Sequence, residues 1–154
     1  MTTTLIRGLL AAAVLLAAPM AQAQGTPASV GTGKIEYARG QRMENDKLTP
    51  VMGTGTLVIT AKGDSLMGML ETGPRPDGTV AAPAQLRGVK TDDGARLVQK
   101  RQVNISMNGE QSTVEMTMTW ELHVAGDAIS GSLRSVSANG ELPPLDGPVK
   151  GKRA

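Results

Sequence analysis

Between Val114 and Val124 the chain alternates without a break. Val114, Met116, Met118, Trp120, Leu122 and Val124 are apolar, and Glu115, Thr117, Thr119, Glu121 and His123 between them are polar. Period two is a strand signature, because successive side chains in a sheet point to opposite faces; a helix would spread the same apolar residues around its circumference. Shorter stretches of β character lie at Lys34 to Arg39, Val51 to Ala61, Leu66 to Glu71, Gln85 to Lys90, Arg96 to Ile105, Ile129 to Val136 and Pro148 to Arg153. The pairs Asn45-Asp46, Gly63-Asp64, Asp77-Gly78, Asp93-Gly94, Asn108-Gly109 and Gly126-Asp127 punctuate them. Such pairs suit tight reversals, where Gly, Asn and Asp tolerate backbone angles that other residues resist. No stretch after residue 24 keeps an apolar 3.6-residue period for three turns, so helix is a minor component.

One pattern repeats. Gly63-Asp64-Ser65-Leu66-Met67-Gly68-Met69-Leu70 returns in type as Gly126-Asp127-Ala128-Ile129-Ser130-Gly131-Ser132-Leu133, a turn followed by an apolar-x-Gly-x-Leu strand. Consecutive strands joined mostly by short turns predict an all-β fold, an eight-stranded antiparallel up-and-down barrel in which the last strand lies beside the first. A two-sheet sandwich is the competing arrangement, since the Gly- and Pro-rich segment Ser137 to Gly147 is long enough for a crossover.

The N-terminus reads differently. Arg7 precedes the apolar run Leu9 to Ala18, Pro19 follows, and small residues stand at Ala21 and Ala23. The run falls short of the roughly 20 residues that span a bilayer, and its flanks fit a secretory signal peptide over residues 1–23, cleaved after Ala23. The expected product is periplasmic or extracellular, with no transmembrane anchor. Residues 24–32 are Gly, Ser, Thr, Ala and Pro with little to bury, read as a flexible leader, and residues 33–154 form one domain.

Composition narrows the chemistry. The chain has no Cys, so its core must hold without disulfides, and thiolate catalysis or metal ligation is excluded. A formal net charge of +2, scattered basic residues, one Trp, one Tyr and no Phe argue against a nucleic-acid partner, which needs a basic track and stacking rings.

Thr56 to Leu70, then Leu86-Arg87-Gly88-Val89, Met118 to Leu133 and the final Gly151-Lys152-Arg153 resemble the small secreted bacterial lipocalin-like (calycin-type) β-barrel proteins of unassigned function. The resemblance covers nearly the whole chain after the signal peptide and implies a barrel that ends in a cation stacked over an aromatic ring of the first strand. Arg153 fits that closing cation. The first strand reads Gly33-Lys34-Ile35-Glu36-Tyr37, without the usual Trp, so a ring partner is Tyr37 or absent.

Catalysis is not expected. His123 is the only imidazole and falls on the polar parity of its strand, with no motif setting a nucleophile against it. Asp92-Asp93 and Glu44/Asp46 lie in turn-forming contexts. The pairs Met67-Gly68-Met69 and Met116-Thr117-Met118 present thioethers on one strand face, a geometry that suits Cu(I), with Met116 and Met118 as the metal alternative; otherwise no cofactor is expected. In a core without Phe, Met is also a flexible filler. A closed sheet would be lined by Tyr37, Leu57, Ile59, Leu66, Leu70, Met116, Met118, Trp120, Leu122, Ile129 and Leu133. Gly68 and Gly131 would leave room that side chains fill or a small apolar ligand occupies. The readings that follow are a ligand- or partner-binding barrel, a Cu(I) carrier, or a filled interaction module.

Overall fold

The computed structural model describes residues 29–75 and 77–154. The signal peptide, its cleavage site and residues 24–28 of the leader lie outside the described residues. The strands are β1 (Gly31–Glu44), β2 (Lys47–Lys62), β3 (Ser65–Thr72), β4 (Ala84–Lys90), β5 (Gly94–Met107), β6 (Glu110–Ala125), β7 (Ala128–Ser137) and β8 (Leu145–Arg153). Each pairs antiparallel with its sequence neighbour, and β8 pairs with β1, giving a closed up-and-down barrel of eight strands. Closure rules out the sandwich. Among the described residues no helix is long and apolar enough to cross a membrane.

Turn chemistry sets the hairpins. Asn45 and Asp46 both have positive φ, 49° and 60°, as do Asn108 and Gly109, 53° and 82°; these mirror-image turns match the twist of the strands they join. Gly63 and Gly126 each carry φ of 60° ahead of an Asp. Asp77-Gly78, by contrast, lies inside the long β3–β4 connection, and Asp93-Gly94 ends the β4–β5 turn with Gly94 opening β5.

Alternation fixes which face is buried. In β6 the even residues Val114 to Leu122 are buried, and in β3 Leu66, Gly68 and Leu70 are buried while Met67 is half-buried and Met69 exposed. Trp120, Leu86, Leu97, Leu122, Leu133 and Val149 are the largest fully enclosed side chains. Removing each such residue from water contributes about 1.5–3 kcal/mol, the main drive for closure in a chain with few rings.

The strands overrun the expected bounds at two hairpins. β1 extends past Arg39 to Glu44 and β2 begins at Lys47, while β5 and β6 meet at Asn108-Gly109. β8 pairs with β1 only over Gly33 to Tyr37, and β3 pairs with β2 only from Gly55, so residues beyond form a two-stranded ribbon. Likewise, pairing of β4 to β5 ends at Val98 and that of β7 to β6 at Met116, freeing a second ribbon. Strand β1 also begins earlier than expected, with Gly31 and Thr32 already paired to Ile59 and Val58.

Candidate functional site

The expected lining residues converge. Tyr37, Leu57, Ile59, Leu66, Leu70, Met118, Trp120, Leu122, Ile129 and Leu133 join Leu86, Leu97 and Val149 in one core cluster; Met116 is buried beside Val114 but outside it. Of the two outcomes open at the interior glycines, Gly68 shows the filled one, and Gly131 answers a backbone need. A Cβ on Gly68 would lie 3.2 Å from Leu86 Cβ and 3.3 Å from Leu97 Cδ1, so those leucines take up its space. Gly131 serves the backbone: its φ is 153°, and a Cβ there would lie 1.9 Å from the Glu121 carbonyl oxygen.

Arg153 does not reach a ring. Gly33, not Tyr37, is its partner in the ladder, and its guanidinium donates to the Val30 carbonyl at 2.9 Å, tying the end of β8 to the start of the domain. Tyr37 instead packs on Trp120, with ring centroids 5.1 Å apart and planes tilted by 59°. Such tilted pairs add about 0.5–1.5 kcal/mol beyond burial. The indole Nε1 is buried with no hydrogen-bond partner among the described residues.

His123 faces outward, with Nδ1 2.8 Å from Asp93 Oδ2. Met116 and Met118 point inward, where the register sets Arg101 opposite Met116 and Gln99 opposite Met118. The imidazole and these thioethers therefore stand on opposite faces of β6.

Open space lies where the ribbons leave the barrel. A cavity of about 600 Å³ is bounded by Tyr37 at the barrel rim, Arg39 and Val51 from the first ribbon, Arg75, Asp77 and Ala81 from the β3–β4 connection, and Arg101 from the second ribbon. Its geometry follows from local features. The β1–β2 register skips Arg39, a bulge of the kind that re-aims a side chain. The stem of Arg39 crosses Gly53, where a Cβ would sit 2.8 Å from its Cδ. Arg101 shares the inward parity of Leu97 on β5. The β3–β4 connection is braced by Arg75 N–H donating to the Thr79 carbonyl at 2.8 Å, and by the Thr79 N–H and hydroxyl donating to Asp77 Oδ1 at 2.9 and 2.6 Å. Those hydrogen bonds, the hydroxyl's first, hold the Asp77 carboxyl below its ordinary 3.8. Burial pushes the Tyr37 phenol above its ordinary 10.0, and the Arg101 and Arg39 guanidiniums pull it part of the way back.

A second open region of about 780 Å³ lies along the outer wall over β8, β1, β2 and β3. It is a mixed-charge surface, with Lys34 opposite Lys152 and Glu36 opposite Lys150. The mouth differs because it opens onto the buried Tyr37, whose ring packs against Trp120 beneath it.

Sequence reasoning did not single out Arg39, Arg75 or Arg101. A signal existed for Arg101 alone, a charge on the apolar parity of Ala95, Leu97, Val103 and Ile105. Comparison with known proteins finds no matching family model and no matching curated protein. The eight-stranded antiparallel barrel is compatible with a lipocalin-like fold.

Proposed function

We propose that this chain is an exported, lipocalin-like barrel that binds a small amphipathic ligand at its open mouth and carries out no catalysis. The observation that carries the reading is the cavity of about 600 Å³ whose boundary includes the buried Tyr37, packed at a tilt against Trp120. Concave spaces of this size, lined by an aromatic ring, a few apolar groups and a few placed polar ones, are typical ligand sites. The ligand sits above the packed interior rather than within it, because Leu86 and Leu97 fill the space beside Gly68. Export follows from the signal-like residues 1–23, and a mature protein starting at Gln24 is the expected product.

Trp120 is the only Trp and reports on the site through its contact with Tyr37, which lines the cavity. Titrating the protein with 1-decanol, decanoate and anilinonaphthalene sulfonate is expected to shift its emission in a saturable way for at least one of them. A flat response to all three overturns the reading.

A further inference from the structure

We infer that the mouth recognises its ligand through an oxyanion head group, a carboxylate or a group of similar charge and shape, held by Arg39, Arg75 and Arg101. This rests on the mouth being a ligand site.

The three arginines come from separate elements, the β1 bulge, the β3–β4 connection and the β5 ribbon, yet border one cavity. None is in an ion pair: those among the described residues join Arg42 to Glu44, Arg96 to Glu121, His123 to Asp93 and Arg134 to Asp146. The acid that borders the cavity, Asp77, accepts from Thr79 through Oδ1 and also feels the Arg75 charge, so Arg39 and Arg101 are the less compensated of the three cations. Gathered like charges create a positive potential that concentrates anions. Guanidinium forks match the paired oxygens of a carboxylate or phosphate.

Other details point the same way. Arg39 is re-aimed by a bulge and laid across a residue that lacks a side chain. Tyr37 adds a phenol O–H, a donor suited to an anion, and burial favours its protonated form. Val51, Ala81 and the Tyr37 ring supply the apolar part of the boundary, so an oxyanion with a short hydrocarbon tail satisfies both kinds of wall.

The test compares decanoate with 1-decanol, which share a tail and differ in the head, by Trp120 emission. Decanoate is expected to bind at least about tenfold more tightly, a modest return for charge-assisted hydrogen bonds. An Arg39→Gln/Arg101→Gln double variant should bring decanoate to within about twofold of 1-decanol and leave 1-decanol unchanged. Gly53→Ala keeps every charge but displaces the Arg39 stem, and it too should weaken decanoate alone. Equal affinity for the two ligands, or a decanoate preference that survives both variants, overturns the inference while leaving a ligand-binding mouth. Failure of both ligands to bind overturns the inference, and takes the binding site down with it only where anilinonaphthalene sulfonate fails as well.

Discussion

The barrel's two ends are built from the same antiparallel strands and finish differently. At one end the connections after β2, β4 and β6 are short, and Arg153 N–H donates to the Asp127 carbonyl at 2.8 Å while its guanidinium holds Val30. The space left there, between Leu57, Ile59, Leu122, Val124, Ile129 and Arg153, is about 20 Å³, room for little more than a single water. At the other end two hairpins outrun their neighbours and frame about 600 Å³. Strand pairing explains the contrast. Where successive strands stop together the sheet seals itself; where a hairpin continues past its neighbours, its outer edges lose their partners and a mouth opens. The free edges carry Arg42, Glu44, Lys47, Lys100 and Glu110, charges that discourage pairing with other chains.

If the closed end and the core are the source of stability, damage there must cost more than damage at the mouth. The largest effect is expected for Trp120→Ala, about 3–5 kcal/mol in urea unfolding, since the ring is 1% exposed and its removal leaves a cavity among Tyr37, Leu97 and Leu133. A loss below about 1 kcal/mol would mean that this interior is not packed. Next comes Gly131→Ala. Its φ of 153° and the 1.9 Å approach of the Glu121 oxygen leave no place for a methyl group, so β6 and β7 must part, costing about 3 kcal/mol by thermal unfolding. Arg153→Met retains an apolar stem but removes the hydrogen bond to Val30. A cost of about 1.5 kcal/mol is expected, with faster amide exchange near Gly31 as its local sign.

The same contrast explains what could be read from sequence. The core strands were legible because one face is buried and one is wet, which imposes alternation on Leu66 to Leu70 and on Val114 to Val124. The ribbons were not. Residues 41–44 and 47–50 lie beyond the barrel with neither face fully buried, so nothing constrains their pattern, and only Asn45-Asp46 marks the hairpin. The mouth was harder still. Arg39 reaches it through a bulge visible only in the register with β2, and Arg75 arrives from a connection whose path no periodicity encodes. The role of Gly68 depended on Leu86 and Leu97, distant residues whose packing decides whether a missing side chain becomes a void. Arg153 ends the last strand, as its sequence position suggests, but its partner follows from the register with Gly33, four positions short of Tyr37.

The smallest expected effect belongs to the mouth itself. Arg101→Gln removes an exposed guanidinium with no ion-pair partner, so stability should stay within about 0.5 kcal/mol of the parent. What should move is the titration of Tyr37, the only tyrosine, followed through tyrosinate absorbance. Burial raises this pKa and Arg101 is the larger of the two charges that lower it, so losing Arg101 must push it further up. The sign for stability follows. A phenol that folding keeps protonated contributes stability in full below its unfolded value of 10.0, and that contribution fades as pH rises through the raised folded value. The variant should therefore lose stability more steeply than the parent above pH 10.0, while the two coincide at neutral pH. An unshifted Tyr37 titration would place Arg101 away from the phenol and reduce the mouth to two arginines, whereas an upward shift at constant neutral stability ties Arg101 electrostatically to the mouth and not to the core.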